Sequence, residues 1–234
     1  MNIGIITDVH GNVIALDKIV QKFKKEKCEK IICCGDLIGI GPYPEQTVKY
    51  IISLPDLICV RGNHDHYQFR GIAEKITENE KLHHQWVRSL LSSSSINFLK
   101  ELPQRSDIIV EGHKISAIHY AVDSENRYAF VKNPTESDLN ELFSNFDSQI
   151  ICYGHDHERL ICQTDKKWYI NVGSCGCPER SKNIARGGIL SIEREKVSLK
   201  CVDEIYDVGK VISEINRLKY PAAEEILKYF YGVN

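Results

Sequence analysis

The ten residues from Ile3 to Asn12, "IGIITDVHGN", decide how this chain is to be read. Their apolar half, Ile3 to Ile6, is short, isoleucine-rich and bounded by polar residues, the mark of a buried strand. Directly after it come Asp8, His10 and Gly11, which a hydrophobic core does not require. The same grammar recurs in "IICCGD" (31–36), "LICVRGNHD" (57–65), "ISAIH" (115–119) and "IICYGHDH" (150–157). Each carries an apolar run into polar side chains able to bind a metal.

Outward from that stretch, Leu16, Ile19, Val20 and Phe23 recur at i, i+3, i+4 and i+7, one buried face of a helix. Lys18, Lys22, Lys24, Lys25 and Lys27 form its solvated side. A strand at 30–34, a helix at 44–54 and a strand at 56–60 continue the order β-α-β-α-β, which implies a parallel sheet. Residues 67–105 are polar and mostly helical in pattern, and predict a helical excursion able to overhang a site. The later half is β-rich, with strands expected near 107–111, 114–119, 149–153, 158–163, 167–172, 187–193 and 196–202. "NPTESDLNELFSNF" (133–146) predicts a helix with Thr135 as its N-cap and Asp138 three residues on. Two more helices are expected near 207–219 and 221–231. No repeat or low-complexity linker divides the 234 residues, so one domain is expected over 1–234, with 67–105 as a cap and 205–234 as C-terminal helices.

Composition excludes several classes of function. Hydrophobic residues make up 42% of the chain and charged residues 26%, ordinary for a globular protein. The formal net charge of −2 offers no basic field for nucleic acid or an anionic membrane. No apolar run approaches the roughly 18 residues of a membrane span. No basic segment precedes Asp8, as a secretory signal would require. The nine cysteines are odd in number and several lie inside apolar runs, which fits reduced, buried thiols and a cytoplasmic location.

The polar strand ends form a set. Asp8 and His10 stand at i,i+2, which puts both side chains on one side of an extended strand end, and His155 and His157 repeat the spacing. Glycine before Asp36 and before Asn63 lets the backbone turn sharply toward a ligand. Five strand ends together supply Asp8, His10, Asp36, Asn63, His64, His119, His155 and His157. In open α/β sheets, ligands bind beyond the carboxyl ends of strands, so residues far apart in sequence can converge on one rim. Imidazole with carboxylate and amide oxygen suits Mn, Fe, Zn or Co, and the lack of cysteine in the set argues against a structural zinc site. One histidine ending a strand is an ordinary hydrogen-bonded residue. Five polar strand ends, four of them with histidine, are poorly explained by coincidence.

The ordered series D-x-H, G-D, G-N-H-D, H and G-H-x-H resembles the calcineurin-like metallophosphoesterase superfamily. "GDLIGIGPYP" (35–44) and "NVGSCGCPER" (171–180) further resemble its small bacterial and archaeal phosphoesterases, and the likeness runs from about Asp8 to Gly188. The resemblance implies an α/β fold of four α-β-β-α layers, two facing sheets flanked by helices. It implies two divalent metal ions (Mn, Fe, Zn, Co or Ni) at the sheet edge. Asp8, His10, Asp36 and His157 would hold one, and Asp36 would bridge to a second held by Asn63, His119 and His155. His64 would assist the leaving group, with Asp65 accepting its ring N–H and fixing the tautomer. The implied reaction is hydrolysis of a phosphodiester, a phosphomonoester or a nucleotide polyphosphate by in-line attack of a metal-bridging hydroxide. Two divalent cations less two carboxylates leave a positive remainder that suits a phosphate ester. A metal lowers the pKa of bound water to about 7, and proton donation by a group such as His64 is typically worth about 10²–10⁴-fold.

Around this set, Arg61 and Asn12 are candidates to contact phosphate oxygens. Tyr120 stands where many small relatives have glycine and is a candidate to shape substrate access. Gly39 replaces the last acid of the family's G-D-x-x-D. Trp86, beside His83 and His84, and Tyr128, beside Arg127, are each either a stacking surface for a nucleobase or plain packing. A non-catalytic metal-binding scaffold of the same fold is the alternative, but scaffold members lose the histidine of G-N-H or several ligands, and this chain keeps them all. Thiol redox chemistry at Cys33-Cys34 or Cys175-x-Cys177 is a weaker rival: adjacent strand residues face opposite ways, and neither pair is C-x-x-C. The expected partner is a small phosphate ester or nucleotide, without nucleic acid or membrane; a homodimer stays open.

Overall fold

Alternation along β1 (Asn2–Ile6) divides the molecule into layers. Ile3 and Ile5 enter one buried cluster, and Ile6 enters another on the opposite face. Gly4 faces the same way as Ile6, where any Cβ would overlap the Phe23 ring. The computed structural model describes residues 1–70, 76–122, 128–129, 131–177, 183–194 and 196–233.

β1 pairs in parallel with β2 (Lys30–Cys33), which pairs in parallel with β3 (Leu57–Cys59). This much follows the β-α-β-α-β order expected from the sequence. On the other flank the sheet is antiparallel: β9 (Ile184–Glu193) pairs with β1, and β10 (Lys196–Ile205) with β9, giving the order β10-β9-β1-β2-β3. The second sheet contains β4 (Arg105–Val110), β5 (His113–Ile118), β6 (Ile150–Cys152), β7 (Arg159–Gln163) and β8 (Trp168–Val172). Its order is β4-β5-β6-β8-β7, with a parallel centre and antiparallel edges.

The inner faces of the two sheets share one core, in which Ile3, Ile5, Ile32 and Val60 meet Ile115, Ile150 and Ile170. Outside the first sheet, α1 (Val13–Lys25) buries Leu16, Ile19, Val20 and Phe23, the face predicted from their spacing. α2 (Pro44–Ile52), α7 (Val208–Leu218) and α8 (Ala223–Phe230) join the same cluster through Val48, Ile215 and Leu227. Outside the second sheet, α6 (Glu136–Leu142) packs Leu139 among Phe143, Tyr153 and Tyr169. The architecture is therefore α/β with two mixed sheets between helices, the four-layer sandwich implied by the resemblance. Cys33 and Cys34 do fall into opposite cores, and all nine cysteines are free. No helix among the described residues is long and apolar enough to cross a membrane.

The excursion consists of α3 (Asn63–Arg70), α4 (Glu78–Leu90) and α5 (Ser93–Glu101), with 71–75 outside the described residues. Trp86 stacks on Tyr220 with ring centroids 4.1 Å apart, so it serves helix packing and not base stacking.

Helix α6 carries the predicted N-cap: the Thr135 hydroxyl accepts from Asp138 N–H while the Asp138 carboxylate accepts from Thr135 N–H, a reciprocal capping box. Thr135→Ala is expected to cost about 1 kcal/mol of unfolding free energy in urea, and Thr135→Ser to recover most of it.

Candidate metal centre

The polar strand ends do converge. β1, β2 and β3 are parallel, as are β5 and β6, so their carboxyl ends reach the same rim of the sandwich. Beyond the strands, loop backbones continue the pairing: Asp8 N–H donates to Gly35 O (3.0 Å), His10 N–H to Asp36 O (2.9 Å) and Gly154 N–H to His119 O (2.9 Å). The Asp-x-His pair does not have the extended backbone that its spacing suggested. Asp8 and His10 have φ of 52° and 48°, and Asp36, His155 and His157 are also left-handed, at 53°, 83° and 61°. Such backbone is uncommon for residues other than glycine, so the placement of these side chains is set by left-handed turns and not by strand alternation.

Two groups of donors share Asp36. On one side, His10 Nε2 lies 2.8 Å from His157 Nε2, and each lies 3.7 Å from Asp8 Oδ1. On the other, Asn63 Oδ1 lies 3.1 Å from both His119 Nε2 and His155 Nδ1. Between them, Asp36 Oδ2 stands 3.8 Å from His10 Nε2 and 3.4 Å from His119 Nε2. Asp36 Oδ1 faces away and accepts from His64 N–H at 2.9 Å. The second nitrogen of two rings is committed to the backbone: His10 Nδ1 to Ile38 O at 3.1 Å, and His119 Nδ1 to Cys34 O at 2.7 Å. That leaves Nε2 of each as a lone-pair donor. Asp8 is fixed by Thr7 Oγ1 at 2.6 Å and by His155 N–H at 3.0 Å.

The electrostatics suit a cation. Burial, then the neighbouring His157, holds His10 well below the usual imidazole range. Burial, then His119, pushes His155 down to about 3, and burial lowers His157. These rings are neutral at neutral pH, the form in which imidazole can bind a metal. Burial also acts against a charge on His119, but the Asp36 carboxylate beside it prevails and raises it to about 10. A metal held at this position would take the place of that proton. Burial would raise Asp36, yet His119 and His64 keep it well below the usual carboxylate range. Asp8-His10-His157, His10-Asp36-His64 and Asp8-Asp36-His119 each bring one ligand atom per residue within 4.8 Å of the others, close enough to hold an ion.

Several sequence-based assignments change. Asp65 does not orient His64: its Oδ1 accepts from Leu37 N–H (2.9 Å) and its Oδ2 from Gly62 N–H (3.0 Å), which commits both oxygens to loop backbone. Burial, then Asp36, raises Asp65 to about 7. His64 Nδ1 is buried without a hydrogen-bond partner. Asn12 is spent on structure, since its Oδ1 caps α1 through Ala15 N–H and its Nδ2 donates to Gly176 O. Tyr120 is buried in the cluster outside the second sheet with Phe143 and Tyr153, and its ring also lies 5.3 Å from that of His155. Arg61 donates to Lys100 O at 3.3 Å and lies over the Phe69 ring. Cys175 and Cys177 are buried, and burial raises both thiols, so they are packing groups. Arg127 and the 178–180 end of "NVGSCGCPER" lie outside the described residues.

The structure also brings residues to the rim that spacing did not place there. Tyr128 stacks on His155, with ring centroids 4.7 Å apart, and meets His119 edge-on. His84 lies 5.4 Å from His64 between ring centroids. His83 Nε2 donates to Gly39 O, while its other nitrogen faces Pro221 O at 3.1 Å. The adjacent histidines of "LHHQW" were a visible signal without a visible target; nothing in the sequence ties α8 to this rim.

Residues 1–195 match the calcineurin-like phosphoesterase superfamily domain. An uncharacterized protein of the archaeon Methanocaldococcus jannaschii is 25% identical over 246 aligned residues, covering 94% of this chain and 93% of that protein. A phosphodiesterase of the same organism is 25% identical over 178 residues, covering 75% and 84%. Among solved structures, a hypothetical protein of Pyrococcus horikoshii has a TM-score of 0.85 at 18% identity, covering 98% of this chain and 97% of its own, which shows a common fold.

The backbone approaches both carboxylates closely. A Cβ at Gly62 would overlap Asp36 Oδ1, and one at Gly154 would overlap Thr7 Oγ1 and crowd Asp8 Oδ2. Gly62→Ala and Gly154→Ala are each expected to destabilise by about 1–3 kcal/mol and to lower metal content after dialysis. Gly112→Ala, with nothing within 4 Å of its Cβ, should leave metal content unchanged, as read by elemental analysis.

Proposed function

The chain belongs to the calcineurin-like phosphoesterase superfamily, hydrolases of phosphate esters, and on that premise we propose that its strand-end cluster is a dinuclear catalytic centre. Asp8, His10, Asp36 and His157 hold one divalent cation, and Asp36, Asn63, His119 and His155 hold the other. The observation that carries this reading is the position of Asp36 Oδ2, within 3.8 Å of His10 Nε2 and 3.4 Å of His119 Nε2. One carboxylate oxygen so placed can serve both groups. The donors are oxygen and imidazole nitrogen without thiolate, which suits Mn, Fe, Co, Ni or Zn in a catalytic role.

When bound, such ions polarise phosphoryl oxygens and supply a water ionised near neutral pH. The protein's own contribution is geometric. The hydrogen bonds of His10 to Ile38 O and of His119 to Cys34 O fix both rings, and His155 N–H and Thr7 fix Asp8. His64 is the proton donor to the departing alcohol. Its Nδ1 has no hydrogen-bond partner, so Nε2 is the ring nitrogen that serves the leaving oxygen. Gly39 allows this placement, because a Cβ there would collide with the His64 ring. The substrate is a small phosphate ester, and the phosphodiesterase named among the relatives supports a diester.

Activity toward bis-p-nitrophenyl phosphate and p-nitrophenyl phosphate, measured across Mn, Fe, Co, Ni, Zn and Mg, tests the reading. His64→Ala is expected to retain both metals and to lose about 10²–10⁴-fold in kcat. Full turnover in that variant would remove His64 from the reaction. Asp36→Asn should bind fewer than two metals and be inactive; two tightly held ions would contradict the shared ligand.

A further inference from the structure

A cleft of about 740 Å³ opens beside the metal centre, with His64 and His157 on its lining. One wall is α4, which presents His84. The other is α8, which presents Ile226, Tyr229 and Phe230. The Phe230 ring lies 6.0 Å from the His157 ring, so the apolar wall begins at the metal ligands themselves. The C-terminal segment that carries α8 is fastened in place: Tyr220 Oη donates to Ile40 O at 2.8 Å, and His83 spans Gly39 O and Pro221 O. Helix α8 lies beyond residue 195, where the superfamily match ends.

The charge of the described lining is negative. Glu78, Glu80 and Glu225 line it, and no lysine or arginine does so among the described residues. Lys81 offsets Glu78 at 3.7 Å, but Glu80 is held by the Thr77 cap and Glu225 by Asn79 Nδ2 at 2.9 Å, both neutral groups. Lys228 approaches the Tyr229 ring but is not part of the lining. His83 and His84 bring no charge either: burial, then neighbouring imidazoles, pushes them down to about 3 and about 4. At the inner end, His84 Nδ1 and His64 Nδ1 are both buried without hydrogen-bond partners.

Building on the phosphoesterase reading above, we propose that this cleft receives the alcohol moiety of the ester and selects an uncharged, aromatic or apolar one over a nucleoside polyphosphate. An aryl group laid along Ile226 and Phe230 removes apolar surface from water and stacks on a ring. The additional phosphates of a polyphosphate would face glutamates with no lysine or arginine beside them among the described lining residues, and that repulsion is strongest inside a groove. His84, beside His64, offers a polar group to the ester oxygen that leaves.

The test uses the full-length protein loaded with Mn. Inhibition by phenylphosphonate and methylphosphonate reports the aryl contribution without any difference in leaving group. Phenylphosphonate is expected to inhibit at least about tenfold more tightly. Phe230→Ala and the exposed Tyr229→Ala should each shrink that gap and leave methylphosphonate unchanged. Glu225→Lys should raise kcat/KM for diadenosine tetraphosphate relative to bis-p-nitrophenyl phosphate by about threefold or more. Equal inhibition by the two phosphonates, or wild-type turnover of the tetraphosphate matching the aryl diester, would overturn the proposal. If no ester is hydrolysed with any metal, the phosphoesterase reading fails by itself. Calorimetric binding of the two phosphonates to the same protein then decides the cleft: tighter phenylphosphonate binding lost in Phe230→Ala supports it, and equal binding refutes it.

Discussion

Two buried carboxylates, Asp8 and Asp36, have no lysine or arginine in ion-pair reach among the described residues. A carboxylate taken out of water is costly unless hydrogen bonds and opposite charge compensate it. Here the compensation comes from backbone N–H groups, the Thr7 hydroxyl and imidazoles, most of which are neutral because they too are buried. The arrangement is short of positive charge by an amount that divalent cations supply. Much of the rim follows from that constraint: two sheets must bring their parallel strand ends to one edge, and the loops between must crowd around two acids.

The crowding shows in the backbone. Five of the seven residues assigned to the metals are left-handed, although none is glycine. Strain of this kind persists only where the surroundings over-determine it. Part of that determination is the close approach of Gly62 to Asp36 and of Gly154 to Asp8. Part is the loop from Ser174 to Cys177, whose backbone and Ser174 hydroxyl bond Thr7 O and Asp8 O. The "GSCGC" segment therefore matters to the site through its main chain, while its thiols pack in the core.

Where the family pattern has an acid, Gly39 lets the chain run against His64 and offers its carbonyl to His83 of α4. The same histidine reaches Pro221, which ties the excursion, the metal rim and the C-terminal segment into one wall. The apolar and acidic character of that wall is set by α4 and α8, not by the strand ends proposed to hold the metals.

The chemistry of the site was legible in the sequence because each donor ends an apolar strand run, and strand ends of parallel sheets share an edge whatever the intervening length. The face of α1 and the cap at Thr135 were legible for the same local reason. Asp65 and Asn12 were misread because a polar residue beside a motif serves backbone and substrate equally well on paper; only the positions of Leu37 N–H, Gly62 N–H and Ala15 N–H distinguish the two. Period alone could not join β9 and β10 to the first sheet, since alternation records which faces are buried and not which strand is the neighbour. By itself, then, the sequence determined which donor side chains end the apolar strands. The tertiary structure decided that Asp36 Oδ2 stands between two imidazole groups, that Tyr128 covers His155, and that α8 walls the cleft, because these depend on long-range packing and left-handed turns that no local pattern encodes.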